Sequence, residues 1–275
     1  PDEAAAFVKL LLQAAADPAS RVSVVITLRS DTLGACADFR DLPEAASRGG
    51  YLVPRLKRDQ RKEAIVKPVE LRGARIAPRL VQRLLNDVSD DFDDLPVMQH
   101  ALSRTWQQWA QSTGGSRPID LEDYLATGGA ANALNNHADE AWQSLGPLGG
   151  PGGTVERVFR ALTERVAEGT EVRRPLDFAQ LCAVCGGGTP EGNAAVTQVV
   201  ERYRRADTAF LVPGAERPLA DNPVIDISHE SLMRQWARLR GWVQAEVDAA
   251  TELQALVREA QAHAGHQGEL RHGLD

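Results

Sequence analysis

The chain has 275 residues, a formal net charge of -7 and an isoelectric point near 5.5. Its fractions of 43% hydrophobic and 25% charged residues are typical of a globular protein with a buried core. The acidic balance argues against nucleic acid as a partner, because such binding relies on clustered Lys and Arg. No apolar run approaches the roughly 18 to 20 residues of a membrane span. We therefore expect a cytoplasmic protein, and Pro1 in place of Met predicts an internal piece of a longer reading frame.

The N-terminal part carries the pattern of an α/β fold. Residues 2–16 place apolar side chains on one helical face. The run VSVVITL at 22–28 is apolar and mostly β-branched, which predicts a strand buried on both faces of a parallel sheet. A second short strand is predicted at 51–53. Because two strands do not make such a sheet, residues 1–56 are interpreted as the C-terminal part of an α/β core whose other strands lie upstream.

The next part has only helical patterns. Three amphipathic patterns lie between Arg58 and Gln111, and a helical pair is predicted at 121–145. Together they predict an all-helical domain at 57–146. The stretch that follows is rich in Gly and Pro, and residues 147–153 are interpreted as a linker between domains.

Beyond this linker the order of elements predicts a winged helix at 154–238. The parts of that fold are three helices followed by a β-hairpin. The helices are predicted at about 154–167, 177–185 and 193–206, and the strands at 209–212 and 224–228.

Residues 239–275 form a C-terminal helical extension in this interpretation. From His229 onward apolar residues recur at steps of three and four, which predicts one long amphipathic helix or a broken pair toward the C-terminus. Gly241 is the expected break.

Two sequence features relevant to chemistry do not support a catalytic or metal-binding role for the chain by itself. No G-x-x-x-x-G-K-[ST] loop occurs in the sequence, so the chain by itself is not expected to hydrolyse ATP. Cys182-x-x-Cys185 has the spacing of half a zinc site, but a structural zinc needs four ligands and no second pair is present. The two cysteines are interpreted as sharing one helical face, and no metal ligand is assigned.

Arg29 is the first candidate site residue. It follows the predicted strand at 22–28, and ligands of open α/β sheets bind at the carboxyl ends of the strands. A guanidinium there can reach an anionic γ-phosphate. The alternative is that Arg29 is simply the first solvated residue after the strand, or an ion-pair partner of Asp31.

Several segments in combination resemble the conserved-region STAND NTPase domain, which occurs in bacteria beside WD-repeat propellers and kinase or protease modules. The similarity extends from about residue 4 to residue 260. The segments are VSVVITLRSD, YLVPRLKRDQRKEAI, LPVMQHALSRTWQQW, IDLEDYLATGGAANALNNHADEAW and VIDISHESLMRQWARLRGWV.

The resemblance implies nucleotide-binding roles for Arg29, Pro96 and His229. In the broader class, which includes NB-ARC ATPases, an Arg in the position of Arg29 senses the γ-phosphate. A lid proline packs on adenine, as Pro96 would, and a winged-helix His contacts the ADP β-phosphate, as His229 would. The alternatives are that Pro96 only begins a helix and that His229 is structural.

The predicted fold is thus mainly α with a small α/β part: a remnant of a parallel-sheet P-loop NTPase core, a helical lid domain, a winged-helix domain and a long C-terminal helix. The resemblance implies a signal-transduction switch driven by ATP and ADP, with Mg as cofactor in the intact protein. Its partners would be flanking effector or WD-repeat domains, and activation would produce a homo-oligomer. A winged-helix DNA-binding regulator and a helical interaction scaffold without nucleotide stay open as alternatives.

Overall fold

The computed structural model describes residues 2–28, 30–87, 94–165 and 171–272, and their fold is mainly helical with a few short antiparallel strands. This confirms the expectation of a mainly α protein. The chain divides into two compact units, residues 1–57 and residues 58–275, which are described separately below.

The first unit is helical. It contains α1 (Asp2–Ala16), a 3-10 helix (Ser30–Asp38) and α2 (Leu42–Gly49). Helix α1 was predicted from its apolar face. The helix α2 begins at a Leu-Pro pair, and a proline in the first turn costs no intrahelical hydrogen bond.

The prediction of a buried strand at 22–28 is wrong for the structure described. These residues form neither helix nor strand, and Val25 is 86% exposed. The strand predicted at 51–53 is absent as well, with Leu52 83% exposed. A parallel strand is stable only when neighbouring strands pair with its backbone and helices cover both faces. The described residues of this unit contain no such neighbour, so the apolar pattern produces no sheet here.

The second unit begins with five helices. They are α3 (Arg58–Leu71), α4 (Pro78–Asp87), α5 (Asp94–Thr113), α6 (Leu121–Ala126) and α7 (Gly129–Ser144). Three helices between Arg58 and Gln111 and a pair from 121 to 145 were predicted, and both predictions are confirmed. Of the acidic run at 90–94, residues 90–93 lie outside the described residues.

The turn between α6 and α7 depends on two glycines. Gly128 and Gly129 have φ values of 93° and 64°, in the left-handed region that favours glycine. The backbone can then place the first turn of α7 against Tyr124, whose hydroxyl accepts a hydrogen bond from Ala130 N at 2.6 Å. The same hydroxyl donates to Asp87 Oδ2 at 2.8 Å, which ties α4 to this turn.

The rest of the second unit combines helices with two small antiparallel sheets. Strands β1 and β2 form one sheet, and the other has the order β3-β5-β4. The elements are a 3-10 helix (Gly146–Gly149), α8 (Thr154–Ala161), β1 (Thr163–Arg165), β2 (Glu171–Arg173), β3 (Leu176–Asp177), α9 (Phe178–Cys185), α10 (Pro190–Arg204), β4 (Leu211–Val212), a 3-10 helix (Leu219–Asp221), β5 (Val224–Ile227), α11 (Glu230–Gln235) and α12 (Ala237–His272).

Two details of this part differ from the sequence-based expectations. The helix predicted to reach 167 ends at Ala161, and the chain continues as β1, which the apolar periodicity did not indicate. The C-terminal helix does not break at Gly241. The break lies at Trp236, whose extended backbone (ψ 105°) separates α11 from α12.

The stretch at 147–153 packs against neighbouring parts of the second unit. Leu148 packs against the hydrophobic core, and Gly149 is buried beside Trp142. It lies inside the second compact unit. The functional boundaries at 56, 146 and 238 stay predictions.

Two hydrophobic cores share helix α7. Ala130 and Ala133 belong to the core formed with α3 to α6, whereas Leu134, Ala138 and Ala141 belong to the core formed with α8 to α12. One helix therefore contributes to both sides. The residues in the middle of α7 therefore lie at the boundary between the two cores, here called the seam.

Candidate functional site

His229 lies where strand β5 passes into helix α11, and it caps that helix. Its Nδ1 accepts a hydrogen bond from the Ser231 amide at 3.2 Å and lies 3.0 Å from the Ser231 hydroxyl. A ring nitrogen that accepts from an amide carries no proton. The neutral imidazole therefore has its proton on Nε2, which makes Nε2–H a hydrogen-bond donor.

Pro96 lies in the first turn of α5, as the third residue of the helix. The helix was expected to begin at Pro96, and it begins two residues earlier, at Asp94. The proline is tolerated there because the first four amides of a helix have no intrahelical acceptor. Pro96 is half-buried and Leu95 is 40% exposed, while the next two residues, Val97 and Met98, belong to the core.

Arg29 lies outside the described residues. The segment that leads to it is described, and its apolar side chains face solvent: Val22 is 58% exposed, Ile26 49% and Leu28 52%. Arg29 belongs to the first compact unit and the other two candidates to the second. The nucleotide-binding roles of the three residues therefore stay predictions.

A cluster of three rings lies between the elements that carry Pro96 and His229. His100 on α5 and His137 on α7 approach to 3.3 Å between Nε2 and Nδ1. Phe210 completes the cluster, with its ring centroid 5.3 Å from that of His100 and 5.2 Å from that of His137. None of these residues was predicted as a site residue. Both histidines lie inside segments that carry the family resemblance, but no local pattern pairs two residues that are 37 positions apart.

Burial keeps both imidazoles of this cluster neutral. It lowers the pKa of His100 to about 4 and that of His137 to about 3. The Arg104 guanidinium lowers both pKa values further, because a nearby cation disfavours a second positive charge. Asp207 acts in the opposite direction on His137 without offsetting the burial. At neutral pH the two rings can therefore share a hydrogen bond in which one donates and the other accepts.

A second polar contact fixes the bend between α11 and α12. Asp139 on α7 accepts hydrogen bonds from Trp236 Nε1 at 2.8 Å and from Arg238 Nε at 2.9 Å. The amide of Ala237 donates to the Asn135 side chain at 2.9 Å. Helix α7 thus holds the start of the long C-terminal helix by directional contacts, in addition to its apolar packing.

The two neighbouring cysteines lie on the same helix. Cys182 and Cys185 are free and buried on α9, and burial raises the pKa of both thiols. Within the described ranges no group of three or more His, Cys, Asp or Glu side chains could hold a metal ion. Among the helices described there, none has the length and apolar character needed to span a membrane.

Comparison with known proteins defines the class. The model of the family Novel STAND NTPase 1 matches residues 1–269, nearly the whole chain. The chain therefore belongs to this family of STAND-class NTPase domains, as the sequence motifs predicted. No curated protein and no solved structure matches it.

Proposed function

We propose that this chain is the regulatory part of a STAND-class ATPase and that bound ATP or ADP sets its conformation. The observation that carries the proposal is the family match over residues 1–269. Because the 275 residues contain no phosphate-binding loop, the proposal requires another segment of the protein to supply that loop and the Mg site. In this scheme the apolar residues 22–28 join a sheet with strands of that segment, and Arg29 then reaches the γ-phosphate.

The region after residue 153 is proposed to be a winged helix. Its order of elements is α8-β1-β2-β3-α9-α10-β4-β5. Three helices and the three-stranded antiparallel sheet β3-β5-β4 support the proposal, and the separate β1-β2 pair is an addition between α8 and β3. His229 directly follows the last strand and Ser228, and its Nε2–H provides a donor suited to a phosphate oxygen. In the proposed ADP state this donor contacts the β-phosphate.

Pro96 is proposed to pack on the adenine ring. Its half-buried position in the first turn of α5 leaves part of the pyrrolidine ring accessible beside Leu95. An apolar ring of this shape suits the face of a base. Exchange of ADP for ATP would then shift α5 and the winged helix as rigid bodies and present flanking effector or WD-repeat domains, with assembly into a homo-oligomer in the cytoplasm.

The sharpest test uses His229→Asn in a protein extended to include the phosphate-binding loop that the proposal requires. Asn is a good N-cap residue, so its side-chain oxygen can replace Nδ1 as the acceptor for Ser231 N, while the Nε2 donor is lost. By calorimetry we expect ADP affinity to fall by roughly 10-fold or more, which is the usual worth of one hydrogen bond to a charged group. Thr189→Ala, which removes the cap of α10, is the matched control and should leave ADP affinity unchanged.

Two further variants separate the phosphate and base contacts. Arg29→Ala should weaken ATP and leave ADP nearly unchanged, because only ATP has the γ-phosphate. Pro96→Ala should weaken both nucleotides alike. A wild-type protein that binds neither nucleotide, or a His229→Asn variant with wild-type ADP affinity, would refute the proposed function.

A further inference from the structure

The ring cluster of His100, His137 and Phe210 joins three elements by close contacts. All three centroid distances are between 5.2 and 5.3 Å. His137 and Phe210 are only 4% and 3% exposed. Every ring therefore touches the other two in a nearly closed site, and displacement of one ring must disturb both neighbours.

The ring cluster is connected to Pro96 through helix α5. His100 is four residues after Pro96 on α5, and residues four apart lie one above the other on the same helical face. A rotation or shift of this helix turn therefore moves the His100 ring together with Pro96.

The ring cluster is connected to His229 by the backbone hydrogen bonds of Phe210. The Phe210 carbonyl accepts a hydrogen bond from the Ser228 amide at 3.0 Å, and the Phe210 amide donates to the Tyr203 carbonyl at 2.9 Å. The next residue, Leu211, is paired with Ile227 in the sheet. The position of Ser228, and of His229 directly after it, is therefore tied to that of Phe210.

We propose that His100 and His137 are positioning residues that hold the strand end carrying His229 in register with the helix that carries Pro96. This inference rests on the proposed function, since it assigns the cluster to the same nucleotide site. Apolar side chains would fill the same space at a lower desolvation cost. The histidines add one directional hydrogen bond between α5 and α7, which fixes the relative rotation of the two helices.

The charges around the pair favour its neutral form. Arg104 lies on α5 with Glu140 of α7 as its ion-pair partner at 2.6 Å. Arg202 on α10 also disfavours a charged His137, whereas Asp207, in the connection after α10, favours it. The contact between His100 and His137 is therefore a hydrogen bond between two neutral rings at neutral pH. Its loss should leave the Phe210 ring less firmly held.

Hydrogen exchange of the 275-residue chain tests the coupling without nucleotide. His137→Ala removes one ring of the cluster, and we expect the peptide spanning 224–229 to exchange at least 10-fold faster. His100→Phe keeps a ring beside Phe210 and loses the hydrogen bond to His137 and the backbone contact with Ala133, so its effect should be smaller than that of removing a ring. Trp109→Phe is the control, because it removes a buried hydrogen bond, that to the Arg117 carbonyl, from the same helix α5.

The core of the following region serves as an internal reference. Peptides covering Val196 and Val199 on α10 should keep their protection in all three variants. Unchanged exchange at 224–229 in His137→Ala, or an equal increase there and in α10, would overturn the proposal, because the cluster would then contribute only to general stability.

A nucleotide measurement separates this inference from the proposed function. In the extended protein that the proposed function requires, His137→Ala should weaken ADP binding by about the same factor as His229→Asn, because it displaces the same donor. If ADP does not bind at all, the proposed function fails while the exchange result still decides the coupling. If ADP binds and depends on His229 but not on His137, the positioning role is wrong and the proposed function stands.

Discussion

The buried histidine pair should make the protein acid-sensitive in a range where carboxylates are still ionised. The pKa values of His100 and His137 are lowered from 6.5 to about 4 and about 3, so the folded state resists protonation. The unfolded chain takes up these protons as soon as the pH falls below about 6.5. The stability that the neutral pair contributes is therefore fully present above pH 6.5 and is lost as the pH falls toward the folded pKa values.

The size of this effect follows from the linkage relation. At pH 5.5, one unit below the ordinary pKa, the protonation of each histidine in the unfolded chain should lower the free energy of unfolding by between about 1 and 2 kcal/mol relative to pH 7.5. The two together should contribute about 3 kcal/mol. In His137→Gln one titrating ring is gone, so the loss between pH 7.5 and 5.5 should be roughly half as large.

Urea denaturation followed by far-ultraviolet circular dichroism at pH 7.5, 6.5 and 5.5 measures this difference. The variant is expected to be less stable than the wild type at pH 7.5, and the gap should narrow at pH 5.5. Thr189→Ala provides the comparison, since loss of a neutral cap should lower stability equally at every pH. Parallel pH profiles for wild type and His137→Gln would refute the reasoning.

Three substitutions test local features of the second unit. Thr189→Ala removes the hydroxyl that accepts from the Gly192 amide and should cost about 1 kcal/mol of stability by urea titration. Asp139→Ala leaves the buried Trp236 indole N–H without its acceptor and should cost about 1 to 3 kcal/mol, whereas Arg238→Ala should cost less, because its partly exposed ion pair is worth about 1 kcal/mol at most. Equal losses for Asp139→Ala and Arg238→Ala would contradict this assignment.

The helices were accessible to sequence analysis because their signals are local. Helix α1, the helices between Arg58 and Gln111 and the pair after residue 121 each bury one face, so apolar residues recur at the helical period. The family could also be named from short segments, and the match over 1–269 confirms it. Arg29, Pro96 and His229 were proposed as site residues in this way, since each lies inside such a segment, and their roles stay predictions.

The predicted strand at 22–28 shows the limit of this approach. Its β-branched run indicates what the segment would do inside a sheet, but a strand exists only when other strands pair with it. The residues described around it supply none, and Val25 is 86% exposed. The break at Trp236 instead of Gly241 likewise depends on residues distant in sequence, because contacts with Asp139 on α7 hold the bend.

By itself the sequence determined the class of protein, most of the helices and the three residues proposed to contact nucleotide. Only the tertiary structure decided that α7 joins two cores and that His100, His137 and Phe210 meet at their seam. The physical reason is the range of the interactions. Helical periodicity depends on neighbours three or four positions away, whereas ring contacts and shared hydrogen bonds depend on which distant segments folding brings within a few ångströms.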